Sequence, residues 1–265
     1  MRRLTVAFLL IFVLLLMFQS CRFMENAYEK VEKTIPVQPK MQLILENRNG
    51  NISVEVWNQT SVSLTAEKRT NIGRKELAKI TIETSTTADT LFIKTISAEL
   101  NQNVTVDYHL KVPSSIFVAQ LKTENGNITL SNTKGDLFTQ TTNGSIEMDK
   151  IDGWVSAITV NGSVKVKKAT GIKRIQTTNG LILADIENFP QEGTQIETTN
   201  ANIELKILHN AGLILDLGTS NGTLQVKGFG DKDFLQRNTK REVKILEGGK
   251  KLFVRTENGN ILISK

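Results

Sequence analysis

Reactive side chains are scarce in this chain. Its 265 residues hold one cysteine, two histidines, four prolines, two tryptophans and two tyrosines. A single cysteine forbids an intramolecular disulfide. With only His109 and His209, neither a histidine-based triad nor a zinc site of the usual Cys and His kind can be assembled, and each histidine reads as a polar strand or loop residue. The paired carboxylates Asp149/Asp152 and Asp231/Asp233 lack the remaining ligands of a calcium loop. The Asn-Gly pairs precede no helical pattern, which argues against phosphate loops. No cofactor and no catalytic residue is expected. Long apolar runs are rare too: residues 4–18 form one of 15, short of the roughly 20 that span a bilayer. The net charge is +6, but few aromatics interleave with the basic residues, so a nucleic-acid groove is not expected.

What the chain does have is repetition. Thr123-Glu-Asn125-Gly126 returns as Thr141-Thr-Asn143-Gly144, Thr159-Val-Asn161-Gly162, Thr177-Thr-Asn179-Gly180, Thr198-Thr-Asn200-Ala201, Thr219-Ser-Asn221-Gly222 and Thr256-Glu-Asn258-Gly259. Successive asparagines are 18, 18, 18, 21, 21 and 37 positions apart, a period that points to stacked repeats. Three and five residues after each asparagine stand apolar residues, from Ile128 and Leu130 to Ile261 and Ile263. Alternation on both sides of the asparagine implies two short strands per unit, each with one buried face. The Asn-Gly between them is expected to supply positive φ at a corner or reversal.

Two architectures satisfy this parity. In an antiparallel meander or sandwich, Asn-Gly is a hairpin turn. In a β-solenoid it is a corner, and each strand lies parallel to its counterpart one unit on. The solenoid is favoured, because stacking rewards identical residues at one position with side-chain ladders. The expected fold is all-β: about seven short coils over residues 119–265, with an irregular β cap over 41–118 that protects the open edge of the first coil. Residues 43–54 look like an opening coil with Asn47 where the threonine should stand, and residues 71–79 are expected to hold a short helix. Residues 230–249 interrupt the last interval and are expected to cover the other end.

The entry strand of residues 104–113, the run of T-x-N-G-x-I copies and the closing segment of residues 252–261 together resemble the bacterial putative adhesins of the DUF4097 type, related to GIN-domain heads. The resemblance covers about residues 41–265. It implies a β-solenoid-like fold on the bacterial envelope and no established activity. Asn200-Ala201 departs from the usual Asn-Gly.

Residues 1–20 read as a signal peptide, with Arg2 and Arg3 before the apolar run. Cys21 follows directly, where a bacterial lipoprotein is cleaved and acylated, and is the expected lipidation site; Ser20 fits, while Phe18 and Gln19 depart from the usual pattern. Residues 21–40, with Pro36 and Pro39, read as lipid anchor and tether, with a helical turn or two within 25–33. Lys165, Lys167, Lys168, Lys173 and Arg174 fall within one coil, and seven further Lys and Arg crowd residues 232–251. A solvated face accounts for the first group; the sharper expectation is a partner such as anionic envelope polysaccharide or lipid headgroups.

The chain is therefore expected to be an exported, non-catalytic envelope lipoprotein, held to the outer membrane or cell surface by its lipid and presenting a repetitive surface for adhesion, scaffolding or ligand sensing. Two alternatives stay open. One is a structural subunit of an envelope complex. The other is a β-helical enzyme acting on polysaccharide, which needs a catalytic set on one outward strip. The outward row Thr129, Glu147, Lys165, Leu183, Glu204 and Gln225 offers no such set.

Overall fold

The computed structural model describes residues 26–98, 103–209, 212–237, 239–245 and 249–265; Cys21 and the signal segment expected over residues 1–20 lie outside them. The first third supplies β1 (Ala27–Pro36), β2 (Gln42–Glu46), β3 (Ile52–Trp57), β4 (Ser61–Thr70), β5 (Ile80–Thr86), β6 (Thr90–Ser97) and β7 (Thr105–Pro113), with a 3-10 turn at Arg74–Lys79 where a short helix was expected. The middle supplies β8 (Phe117–Lys122), β9 (Ile128–Ser131), β10 (Leu137–Gln140), β11 (Ile146–Ile158), β12 (Val164–Gln176) and β13 (Ile182–Asn188). The last third supplies β14 (Thr194–Glu197), β15 (Ile203–Ile207), β16 (Leu213–Thr219), β17 (Thr223–Lys227), β18 (Phe234–Arg237), β19 (Lys240–Ile245), β20 (Lys250–Thr256) and β21 (Ile261–Ser264).

Each coil crosses two faces that meet at the Asn-Gly corner. On the face after the corner, Ile128, Ile146, Val164, Ile182, Ile203 and Ile261 are successive register partners in parallel strands. On the face before it, Leu121, Thr139, Ala157, Ile175 and Ile196 stack in the same way. Parallel neighbours at equivalent repeat positions exclude the meander, whose adjacent strands run antiparallel. The period-2 pattern turns every second side chain inward, and the six residues named on the face after the corner are all 0% exposed. Burying each one stabilises the stack by about 1.5–3 kcal/mol.

β11 and β12 are long because they run through the bend opposite the Asn-Gly corner, each half serving a different coil. That bend has its own column. Asn132, Lys150 and Lys168 lie 18 residues apart with φ of 57°, 56° and 51°, left-handed conformations that cost a non-glycine residue roughly 1–2 kcal/mol. One inward residue beside this column, Thr133, is 1% exposed, and its hydroxyl is the one buried side-chain polar atom without a partner among the described residues.

Chain order and stack order part company at both ends. The opening coil, β2–β3, is an inner layer: it pairs with β8–β9 on one side and with β6–β7 on the other. The last coil, β20–β21, is likewise inserted between β14–β15 and β16–β17. Outside these layers the strands turn antiparallel, β5 on β6 and β4 on β7 at one end, β19 on β16 and β18 on β17 at the other. Among the described residues the stack has nine parallel layers. Residues 42–57 and 90–113, assigned from the sequence to the cap, contribute two of them.

The tether expected over residues 21–40 is overturned from Ala27 onward. Those residues form β1, antiparallel to β4 from Ala27 opposite Thr70 to Pro36 opposite Ser61. Its alternation escapes notice because two inward positions are charged. Lys68 Nζ donates to Glu29 at 3.0 Å, and Lys33 Nζ donates to the Ile82 carbonyl and to Thr84 Oγ1, both at 3.2 Å, tying β1 to β5.

Candidate functional surface

The Asn-Gly corner is the most regular chemical feature of the molecule. All seven repeat threonines are buried, and each hydroxyl donates to the carbonyl of the corner residue one layer away. Thr123 reaches Gly50, Thr141 Gly126, Thr159 Gly144, Thr177 Gly162, Thr198 Gly180, Thr256 Ala201 and Thr219 Gly259, at 2.8–3.2 Å. The asparagines form a second ladder outside the first. In stack order, Asn125 Nδ2 donates to Asn49 Oδ1, and Asn143, Asn161, Asn179, Asn200, Asn258 and Asn221 continue the chain at 2.7–2.8 Å. The first bond is 2.6 Å. Eight amides spaced one strand apart make a strip about 34 Å long, at ~4.8 Å per layer.

A third row flanks the strip two residues further on. The Asn51 side chain accepts from the Asn127 amide N–H, Asn127 from Ser145, Ser145 from Ser163, Asn202 from Asn260 and Asn260 from Thr223. Leu181 interrupts this row. The other flank carries Arg48, Glu124, Thr142, Val160, Thr178, Thr199, Glu257 and Ser220 in stack order, with Arg48 bonded to Glu124 at 3.1 Å.

The corner glycines serve a purpose different from the one expected. Of the repeat copies only Gly50, at φ 123°, and marginally Gly126, at 159°, have positive φ. A Cβ added at Gly144, Gly162 or Gly180 would stand 1.9–2.0 Å from the carbonyl oxygen of the neighbouring corner. Glycine is needed for close approach of stacked backbones, not for handedness. Ala201 keeps its place: Asn200 holds its ladder bonds on both sides and Thr256 still reaches the Ala201 carbonyl.

At the N-terminal end a different network takes over. Asn47, standing in the threonine position, donates to the Gly50 and Val106 carbonyls at 3.2 and 2.8 Å. Its Oδ1 accepts from Thr95 Oγ1 at 2.8 Å, and the Tyr108 hydroxyl bonds Thr95 at 2.7 Å. Tyr108 is 0% exposed, and burial pushes its phenol up to about 12 despite the Thr95 bond. Beside it, buried Asp107 accepts from the Asn51 amide and pairs with Arg69. Of this network the sequence singled out Asn47 and the strand of residues 104–113, but not the pairing of β6–β7 with the opening coil, since no Thr-x-Asn-Gly phrase occurs in β6–β7.

The five basic residues singled out from the sequence are not brought together. Lys165 and Lys167 lie on the face after the corner, Lys168 at the opposite bend, and Lys173 and Arg174 beyond that bend on the other face. Lys165 pairs with Glu147 at 2.5 Å, Lys173 with Asp136 at 2.9 Å, and Arg174 donates to Gln176 at 2.7 Å. Burial pushes the Asp136 carboxyl up, but bonds from Lys173 and from the Trp154 amide, with the Lys173 charge, more than offset it, so it ends below the usual carboxylate range. The outward row runs Ser53, Thr129, Glu147, Lys165, Leu183, Glu204, Leu262 and Gln225, Leu262 entering with the inserted coil.

His109 is exposed beside Ser53, 2.8 Å from its hydroxyl, and His209 is exposed after β15. Among the described residues no group of three or more His, Cys, Asp or Glu side chains is placed to hold a metal, and no helix is long and apolar enough to cross a membrane.

No family model matches the chain, and no curated protein is similar to it. Several solved structures are similar over nearly their whole length. A "putative adhesin" from Bacteroides fragilis is 13% identical, with 89% of this chain and 96% of that one covered at a TM-score of 0.42. A "putative lipid binding protein" from Parabacteroides distasonis is 8% identical, covering 90% and 96% at 0.41. A "putative cell adhesion protein" from Clostridium sporogenes is 10% identical, covering 90% and 99% at 0.32. The fold assignment itself rests on the strand register above.

Proposed function

We propose that this chain is a non-catalytic envelope lipoprotein, acylated at Cys21, whose solenoid serves as a rigid adhesion or ligand-holding surface outside the cytoplasm. The amide strip carries this reading. Ladder bonding uses one donor and one acceptor of each interior asparagine, which leaves a second N–H and a second lone pair for a ligand. The side chains are already fixed by their neighbours, so little rotamer entropy is lost on binding. A polymer of hydroxylated units laid along the strip meets equivalent groups layer after layer, which suits envelope polysaccharide. Cys21 precedes Ala27, the first residue of β1, by six positions. At the chain's maximum reach that is about 20 Å, so a lipid on Cys21 holds the N-terminal end of the stack near the membrane.

The test immobilises the chain from Asn26 onward, which retains every described strand, and measures binding to purified envelope polysaccharides and to whole cells. Release of reducing ends is followed in parallel. Saturable binding that weakens when Asn143, Asn161 and Asn179 are changed together to alanine, with the thermal melt checked, is the expected result. Turnover of a polysaccharide would replace this reading with the enzymatic one. Fatty-acid labelling is expected in the full chain and lost in Cys21→Ala; labelling that persists would remove the anchor.

A further inference from the structure

The excess positive charge of the mature chain is gathered at one end of the stack. Residues 206–265 hold eleven Lys and Arg against six Asp and Glu, a net +5, whereas residues 26–205 hold nineteen against twenty, a net −1. Five of those eleven basic residues, against three acids, lie in the outermost strands β18 and β19 and the turn leading to them. Arg237 ends β18, Lys240 and Lys244 are exposed on β19, and Lys232 sits in the 3-10 turn of Gly230–Lys232. The acids there are Asp231, Asp233 and Glu242. Asp231 pairs with Lys232 at 3.2 Å, and Asp233 is used locally, accepting from the Gly228 and Phe229 amides. Amid these cations Leu235 is 63% exposed, the most exposed large apolar side chain among those described. It stands on β18 next to Phe234, which is held under the Arg241 guanidinium at 4.1 Å.

Lysines on an edge strand also deter other chains from pairing there. Edge protection alone does not call for this composition. The strand at the other extreme, β1, guards its edge with Lys30, Lys33, Glu29 and Glu32, which sum to zero. Nor does edge protection account for an exposed leucine. We propose that the β18–β19 tip is a docking surface for a bilayer rich in anionic phospholipid headgroups, with the cations meeting phosphates and Leu235 entering the interface. Basic residues near such a surface each strengthen binding about fivefold, and an apolar side chain among them adds insertion. The tip lies eleven strand spacings from β1, about 53 Å at ~4.8 Å each, so the contact is separate from any lipid on Cys21. This inference uses the preceding reading only for an exported location.

The experiment takes the chain from Asn26 onward, without the acylation site, and measures co-sedimentation with phosphatidylcholine vesicles and with vesicles of phosphatidylcholine and phosphatidylglycerol in equal parts. Binding is expected only to the second kind and should fall steeply with added salt. Changing Lys232, Arg237, Lys240 and Lys244 together to glutamine should weaken it by roughly several hundredfold, from about fivefold for each charge. Leu235→Ser should weaken it severalfold while leaving the salt dependence unchanged; it preserves the charge and keeps the test informative should the fourfold variant fold poorly. Lys165, Lys167 and Lys168 changed together to glutamine serve as control and should bind as the parent does. Equal losses in control and tip variants would reduce the effect to net charge and overturn the proposal. So would retention of long-chain polyphosphate without vesicle binding, which would make the tip a site for soluble polyanions. Failure of the polysaccharide test alone would leave this result standing.

Discussion

The two ends of the stack solve one topological problem and seal it with different chemistry. At both ends an inner coil is enclosed by an outer coil that precedes or follows it by way of antiparallel strands. At the N-terminal end the outer layers are tied by the Tyr108–Thr95–Asn47 network, the Asp107–Arg69 pair and the Lys68–Glu29 pair. At the C-terminal end two short strands carry the exposed cations Arg237, Lys240 and Lys244 and an exposed leucine. Closing a β-stack therefore requires antiparallel strands, whereas the side chains on them are left to other duties. Buried polar bonds make the first end rigid; the second is free to carry charge.

Truncation should break the comparison most visibly. Ending the chain at residue 249 removes Leu252, Val254, Ile261 and Ile263, all 0% exposed. At about 1.5–3 kcal/mol each the loss approaches the 5–15 kcal/mol that stabilises a typical domain. Hydrogen exchange should show protection vanishing from β14 to β19 while β2–β9 keep theirs. Removing residues 26–36 instead takes away β1, whose inward Val31 and Ile35 are only half-buried, and should cost far less. Equal losses from the two truncations would mean that the ends are not sealed differently.

Point substitutions sharpen it further. Gly162→Ala puts a Cβ 1.9 Å from the Gly144 carbonyl and should cost about 3 kcal/mol or more in a denaturant melt, as backbone strain of this kind does. Ala201→Gly should stay within about 1 kcal/mol. One substitution at two threonines should give opposite signs. Thr159→Val removes a hydroxyl bonded to the Gly144 carbonyl and should destabilise by about 1 kcal/mol or more, whereas Thr133→Val removes an unpartnered one and should stabilise by about 1 kcal/mol.

The pH dependence separates the ends most gently. The folded Tyr108 phenol titrates at about 12, against roughly 10 in an unfolded chain. A raised value means a contribution fully present below pH ~10 and lost between there and about 12. Circular dichroism should show loosening in that window, and Tyr108→Phe should flatten it. Asp136, held below its usual value, works the other way: its contribution is present at neutral pH and lost as pH falls below the carboxylate range. Because this carboxylate is exposed, Asp136→Asn should change the acid limb only slightly.

The repeating core was legible because identical layers write the same residues again and again: the threonine and asparagine columns and the alternation after them point to the observed register. Three features were hidden for physical reasons. β1 carries Glu29 and Lys33 at inward positions, so its period-2 pattern does not show in hydrophobicity. The insertion of β20–β21 is silent, since all copies of the phrase fit any neighbour equally well. The split of Lys165, Lys167, Lys168, Lys173 and Arg174 depends on the bend at Lys168, a left-handed lysine that no local rule anticipates. The charge excess between residues 206 and 265 was countable from the outset, yet only the stack order shows that its densest part lies at one tip.

The place of the last coil has a consequence for how the molecule is made. Translation delivers β16–β17 before β20–β21, and both present the same phrase to the waiting edge of β14–β15. Thr219 and Asn221 can engage Ala201 and Asn200 in the register that Thr256 and Asn258 finally take. Coil-by-coil growth along the nascent chain therefore offers a wrong neighbour at the eighth layer, and the native order requires β21 to have been delivered. A protein fused after Lys265 would emerge from the flank of the eighth layer, one layer short of the ninth. It would hold that layer's closing strand back from the gap it must enter.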